Sequence, residues 1–233
     1  MAKRVGVDKW IFFTALVLVV YGLAMVFSAS AVVAQDQFHN PYAIVGKQVG
    51  WALGGVLCMV WLMTRDYSRY KSPGFIYAST AITTVLLVMV FFFRNSHNTH
   101  RWIRFGGLFT FQPSEIAKPV LILFLAWFLH TRLDSMRDWR NTVLRAAIIP
   151  LVFIALILKQ PDLGTALVLA GVTAMMLLLA GMEWKHLLVA FACGLPVLGF
   201  MLFAVAWRRQ RMLVFLHPDA DPMGAGFHIN QSL

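Results

Sequence analysis

Charge is what this sequence has least of. Only 13% of its 233 residues are Asp, Glu, Lys or Arg, and 60% are hydrophobic. A soluble domain carries roughly 45–50% apolar and about 25% charged residues, so a water-facing globular surface is excluded. Acidic residues are the scarcer sign, 10 against 20 basic ones, which leaves a formal net charge of +10. Cysteine is almost absent. Cys58 and Cys193 both stand inside apolar runs, without the spacing of a metal or redox motif, so no disulfide framework is implied. There is no Walker loop, dinucleotide-binding glycine pattern, zinc-protease helix or nucleophile elbow. Any chemistry performed by this chain belongs to the membrane.

What is there is a series of long apolar runs. Seven can be drawn, at about Ile11–Val33, Ala43–Met63, Phe75–Phe93, Glu115–His130, Arg145–Leu158, Leu163–Gly181 and Leu187–Trp207. Roughly 20 apolar residues cross a bilayer as a helix. The fifth run is short for that task, and the fourth can be extended back through Phe109–Pro113. Lys3, Arg4 and Lys9 before the first run imitate a signal peptide, but the run exceeds the roughly 7–15 residues of a signal core and reads as an uncleaved span. The basic residues sit in short loops, where anionic headgroups and the positive-inside rule account for them, and nucleic acid is not an expected partner.

Loop charge gives the orientation. With the N-terminus in the cytoplasm, the inner segments hold Lys3, Arg4, Lys9, Arg65, Arg69, Lys71, Arg132, Arg137, Arg140, Arg145 and Lys185. The outer segments hold fewer: Arg94, Arg101, Arg104, Lys159, Arg208, Arg209 and Arg211, with Lys47 near a helix end. The outer arginine clusters run against the rule. Tolerated arginines and a site for an anionic ligand on the outer face explain them equally well. Trp10, Trp51, Trp102, Trp139, Trp184 and Trp207 fall near helix ends, as an aromatic belt does.

Ionisable residues inside membrane helices are expensive and usually mark function. Three constellations stand out. The first is Arg101-Trp102-Ile103-Arg104 followed by Gln112-Pro113-Ser114-Glu115-Ile116-Ala117-Lys118. Pro113 suits a first helical turn, with Gln112 or a neighbour as cap. Glu115 and Lys118, three apart, share a helix face and can pair. A structural ion pair and a polar patch opening to the outer leaflet both satisfy that spacing. The second is Lys159-Gln160-Pro161-Asp162-Leu163-Gly164-Thr165, a turn and helix start in which Asp162 can cap the next helix or reach toward Arg101 or Lys118. The third is Arg208-Arg209-Gln210-Arg211 and Pro218-Asp219-Ala220-Asp221-Pro222-Met223-Gly224-Ala225-Gly226, whose acidic spacing is not that of an EF-hand loop. His97 and His100 lack a third ligand and read as loop residues; no metal site is assigned.

These motifs, with Ser28-Ala29-Ser30 and the closing Gln231-Ser232-Leu233, occur in an order that resembles the bacterial SEDS family, the shape, elongation, division and sporulation proteins of FtsW/RodA type. The resemblance covers the whole chain, and its most specific element is Gln112–Lys118. It implies an all-α, polytopic transmembrane helix bundle, with seven helices present of an expected complement of about ten, the chain being a single transmembrane domain that stops short at its C-terminus. It implies a peptidoglycan glycosyltransferase that polymerises lipid II, an undecaprenyl diphosphate-linked disaccharide, at the outer face of the cytoplasmic membrane for division or elongation. A class B penicillin-binding protein and membrane lipids are the implied partners. No cofactor is required by it, and a divalent cation is left open.

The resemblance also implies where the chemistry sits. A carboxylate general base would activate the acceptor hydroxyl, and basic groups would stabilise the departing diphosphate. The family's catalytic aspartate is expected beyond Leu233, so these residues alone are expected to be inactive, and Asp219 and Asp221 are not its substitutes. Arg101, Glu115, Lys118 and Asp162 are carried over as substrate-cleft or structural-site residues. Two other readings stand beside the enzyme: a lipid II flippase, and a non-catalytic scaffold for a penicillin-binding protein.

Overall fold

A computed structural model describes residues 8–66, 70–93, 101–105, 109–132 and 142–203, together with 209 and 214. Its described residues form seven α-helices and one small β-hairpin. The helices are α1 Lys9–Phe38, α2 Ala43–Met63, α3 Pro73–Met89, α4 Pro113–His130, α5 Val143–Lys159, α6 Leu163–Leu179 and α7 Trp184–Phe203. The strands are β1 Ile103–Phe105 and β2 Phe109–Phe111. Among the described residues the all-α expectation therefore holds apart from this hairpin. Four helical stretches, Lys9–Phe38, Ala43–Met63, Pro73–Phe92 and Pro113–His130, are long and apolar enough to span a bilayer. Helices α5 and α6, at 17 residues each, are shorter and reach about 25 Å.

The chain divides into two compact units, Met1–Arg69 and Tyr70–Leu233. In the first, α1 packs along α2. Asp8 caps α1 by accepting from the Trp10 and Ile11 backbone N–H groups. The helix outlasts its apolar run by five residues, to Phe38. Gln35, Asp36 and Gln37 are polar but do not break a helix; the break comes at His39, which turns left-handed (φ 52°) just ahead of Asn40 and Pro41. The Phe27 ring stacks on Tyr42 at 5.3 Å, joining the helix to the turn that follows it.

In the second unit α4 is the hub, packing against α3, α5 and α6. Its buried residues Ser114, Ala117, Leu121, Phe124, Leu125 and Phe128 recur at helical spacing. All but Ser114 meet Ile76 and Leu87 of α3, Phe153 and Ile157 of α5, and Ala166 and Leu169 of α6 in one apolar cluster.

The segment before α4 corrects one expectation. Phe109–Phe111 does not extend the helix backward but pairs antiparallel with Ile103–Phe105, in the register Ile103 with Phe111 and Phe105 with Phe109. The cause is local. A residue preceding proline is pushed out of the α region, and Gln112, before Pro113, lies at φ −110°, ψ 107°. The chain enters α4 extended, and the Phe-Thr-Phe alternation suits a strand.

Candidate functional site

The ends of four helices and the hairpin meet at one end of the second unit. Each helix terminus leaves backbone groups without partners inside the helix, and here side chains from distant segments supply them. Asp162 is the N-cap of α6: its carboxylate accepts from the Thr165 backbone N–H at 3.2 Å and from the Thr165 hydroxyl at 2.9 Å. It also accepts from Nε2 of Gln112, at the start of α4, at 3.2 Å. The same Nε2 lies 2.8 Å from Oγ of buried Ser114.

Arg101, just before β1, closes the opposite end of the same turn. Its Nε donates to the Gln160 carbonyl at 3.1 Å, and one Nη donates to the Pro161 carbonyl. Those carbonyls stand at the C-terminus of α5, the negative end of its dipole, where a guanidinium is well placed. Gln160 itself is 1% exposed and sends Nε2 across to the Leu87 carbonyl in the last turn of α3, at 2.9 Å. Nearby, the Lys159 ammonium lies 5.9 Å from the Phe91 ring centroid.

Glu115 and Lys118 sit on the first turns of α4 and pair as their spacing predicts, Nζ lying 2.8 Å from each carboxylate oxygen. Neither is deeply buried: the Lys118 side chain is 33% exposed and Glu115 57%. Neither faces the core, because the core-facing positions of this turn belong to Ser114 and Ala117. Pro119 follows in the helix interior and withholds the N–H that would bond the Glu115 carbonyl.

Of the four candidates, the structure brings Arg101 and Asp162 to one turn, Arg101 on its α5 side and Asp162 on its α6 side. Glu115 and Lys118 form a separate pair on α4. Among the described residues no ion pair joins the two groups, nor Arg101 to Asp162. Gln112 holds the N-cap position expected of it but its side chain makes no cap bond, and Gln160 was quoted only within its motif; each proves to bond across at least fifty residues of sequence. The clue was a large amide beside a proline at the end of an apolar run, where a buried polar side chain must find a partner. No group of three or more His, Cys, Asp or Glu side chains suited to a metal occurs among the described residues. His97, His100, Arg208, Arg211, Asp219 and Asp221 lie outside them.

Four helical stretches of this length and hydropathy, two in each unit, define a multi-pass helical membrane protein. Residues 8–233 match the FtsW/RodA/SpoVE family model, described as cell cycle protein, and the chain belongs to that family. It is similar to "Probable peptidoglycan glycosyltransferase FtsW" of Geobacter metallireducens, with 34% identity over 97% of this chain and 60% of that protein. Among solved structures it is similar to a chain of a peptidoglycan synthase complex studied for how polymerization and crosslinking are coordinated. That likeness has a TM-score of 0.65 and 32% identity, over 92% of this chain and 62% of the other. The rod shape determining protein RodA of Thermus thermophilus is a further neighbour, with a TM-score of 0.53 and 28% identity over 76% of this chain and 58% of that one. The chain thus spans about three fifths of the length of the curated relatives it matches.

Proposed function

We propose that this chain belongs to a peptidoglycan glycosyltransferase that polymerises lipid II at the outer face of the bacterial cytoplasmic membrane. The observation that carries the reading is the 34% identity to the Geobacter protein along nearly the whole of this chain. The site supports it: Arg101 and Lys118 offer cations at one end of the helix bundle, where a diphosphate-linked lipid would present its headgroup. The general base is the aspartate that the family resemblance puts beyond Leu233, so Arg101, Glu115, Lys118 and Asp162 are proposed for substrate binding and site architecture, not for proton abstraction. The N-terminus is cytoplasmic, which turns Arg101, the start of α4 and the α5–α6 turn outward. Likeness to a chain of a peptidoglycan synthase complex supports a class B penicillin-binding protein as partner.

The test is polymerisation of labelled lipid II by the full-length native protein, purified with its cognate penicillin-binding protein and resolved as glycan strands on a gel. Strands that disappear with Arg101→Ala or Lys118→Ala support the enzyme. Transfer of lipid II across proteoliposomes without strands would replace it with a flippase. Neither activity, with penicillin-binding protein recruitment intact in both variants, would leave a scaffold.

A further inference from the structure

The α5–α6 turn contains a residue whose position exceeds what a helix boundary needs. Gln160 joins three things at once. Its side chain reaches 73 residues back in the sequence to the Leu87 carbonyl. Its own carbonyl accepts from Arg101. Its backbone N–H closes α5 onto Leu156 and Ile157. The side chain is almost wholly buried, so the Leu87 bond is shielded from water and its loss leaves a buried acceptor unpaired.

Arg101 makes that rigidity consequential. A guanidinium has five N–H donors in a fixed fork. The Gln160 and Pro161 carbonyls take donors on Nε and one Nη. Both acceptors are neutral, so the full positive charge remains, and among the described residues no carboxylate pairs with it. The nearest acidic group on this turn, Asp162, is already occupied by Thr165 and Gln112. A half-buried cation held by neutral carbonyls, with donors that no described residue takes, is a preformed half-site for an anion.

We propose that Gln160 is a positioning residue. By locking the α5–α6 turn to the end of α3, it fixes the two carbonyls that aim the remaining Arg101 donors at the diphosphate of a lipid-linked ligand. This rests on the function proposed above for its choice of ligand, and the experiment separates the two.

The full-length protein and its Gln160→Met, Arg101→Ala and doubly substituted forms are compared by direct binding of undecaprenyl diphosphate in detergent, and by kcat and KM for lipid II. Methionine keeps length and apolar packing but donates no hydrogen bond. Gln160→Met is expected to weaken diphosphate binding about tenfold, the scale of one lost buried hydrogen bond. KM rises in proportion while kcat changes less than twofold. In the Arg101→Ala background the same substitution adds less than twofold, because contacting partners do not add independently. Equal weakening in both backgrounds, or unchanged binding with a lowered unfolding temperature, would reduce Gln160 to a helix-end strut and overturn the proposal. If Gln160→Met does not accumulate in the membrane, Gln160→Glu replaces it. As the neutral acid it still donates to the Leu87 carbonyl, and as the carboxylate it cannot, so diphosphate binding must fall as pH rises more steeply than in the unsubstituted protein; a parallel pH profile overturns the proposal. A native protein that binds diphosphate with this coupling but polymerises nothing would refute the glycosyltransferase reading and leave the positioning role intact.

Discussion

At the scale of single residues, the two ionic motifs do different work, although the sequence presented both as charges in the wrong place. Asp162 is saturated with donors from Thr165 and Gln112, the situation of a cap. Asp162→Ala should lower stability by about 1 kcal/mol for the cap alone, or about 2–4 °C in the unfolding temperature of a chain of this size. Asp162→Asn, which still accepts from the Thr165 N–H, should recover most of that in detergent melts of the two variants. Lys118 differs because its partner among the described residues is an exposed carboxylate on the same helix, and exposed pairs at this spacing contribute only a few tenths of a kcal/mol. Lys118→Ala should therefore leave the amount of protein in the membrane nearly unchanged while cutting polymerisation by the complete protein at least tenfold. Normal strand synthesis by the purified variant would remove Lys118 from the site. The capping role of Asp162 and the Glu115–Lys118 pair were legible from spacing alone. The long-range partners of Gln112 and Gln160 were not, because they lie on other elements, and an amide beside a proline signals a need for a partner without saying which residue fifty or more positions away supplies it.

At the scale of elements, the apolar runs located the helices well and their ends poorly. Hydropathy stops where side chains turn polar, whereas a helix stops where the backbone is forced to turn. The first helix runs on through Gln35–Gln37 for that reason, and α2, bounded by a tight turn and by Thr64, coincides with its apolar run. The hairpin was hidden because a three-residue strand of aromatic residues next to a helix start looks like more of the helix. Only the backbone restriction before Pro113 separates them. The role of α4 as hub gives an element-scale prediction. Leu121, fully buried, and Ile122, about two-fifths exposed, are neighbours in sequence about 100° apart around the helix, one inside the core and one at its edge. Leu121→Ala should destabilise by about 2 kcal/mol or more, the cavity term persisting even where lipid replaces water as the alternative environment. Ile122→Ala should stay within about 0.5 kcal/mol. Equal effects on thermal unfolding would mean that α4 is not the centre of this unit.

At the scale of the whole molecule, the hydrogen bonds fix which helix ends of the second unit lie together and leave the side of the membrane to loop charge. Gln160 to Leu87, Arg101 to Gln160 and Gln112 to Asp162 together place the end of α3, the start of α4 and the α5–α6 turn at one end of their unit. Helices joined that way must alternate in direction, so the end of α4, the start of α5 and the end of α6 lie at the other end. Arg101, which breaks the positive-inside rule, cannot then be dismissed by flipping a single helix of this unit, whereas segment 208–211 lies largely outside the described residues. Arg101 and Lys159 share an end whatever its side, and Arg132 and Lys185 share the opposite one. Replacing Cys58 and Cys193, both exposed on apolar helices, by alanine and introducing single cysteines tests this directly. Cysteines at Trp102 and Gly164 should react with a membrane-impermeant maleimide added to intact spheroplasts. Cysteines at Thr131 and Gly181 should react only after the membrane is opened. Labelling of all four from outside, or of Trp102 and Gly164 from opposite sides, would break the alternation itself. Labelling with both pairs reversed would keep the bundle but turn the Arg101 turn toward the cytoplasm, where a polymerase of outer-leaflet lipid II has no substrate.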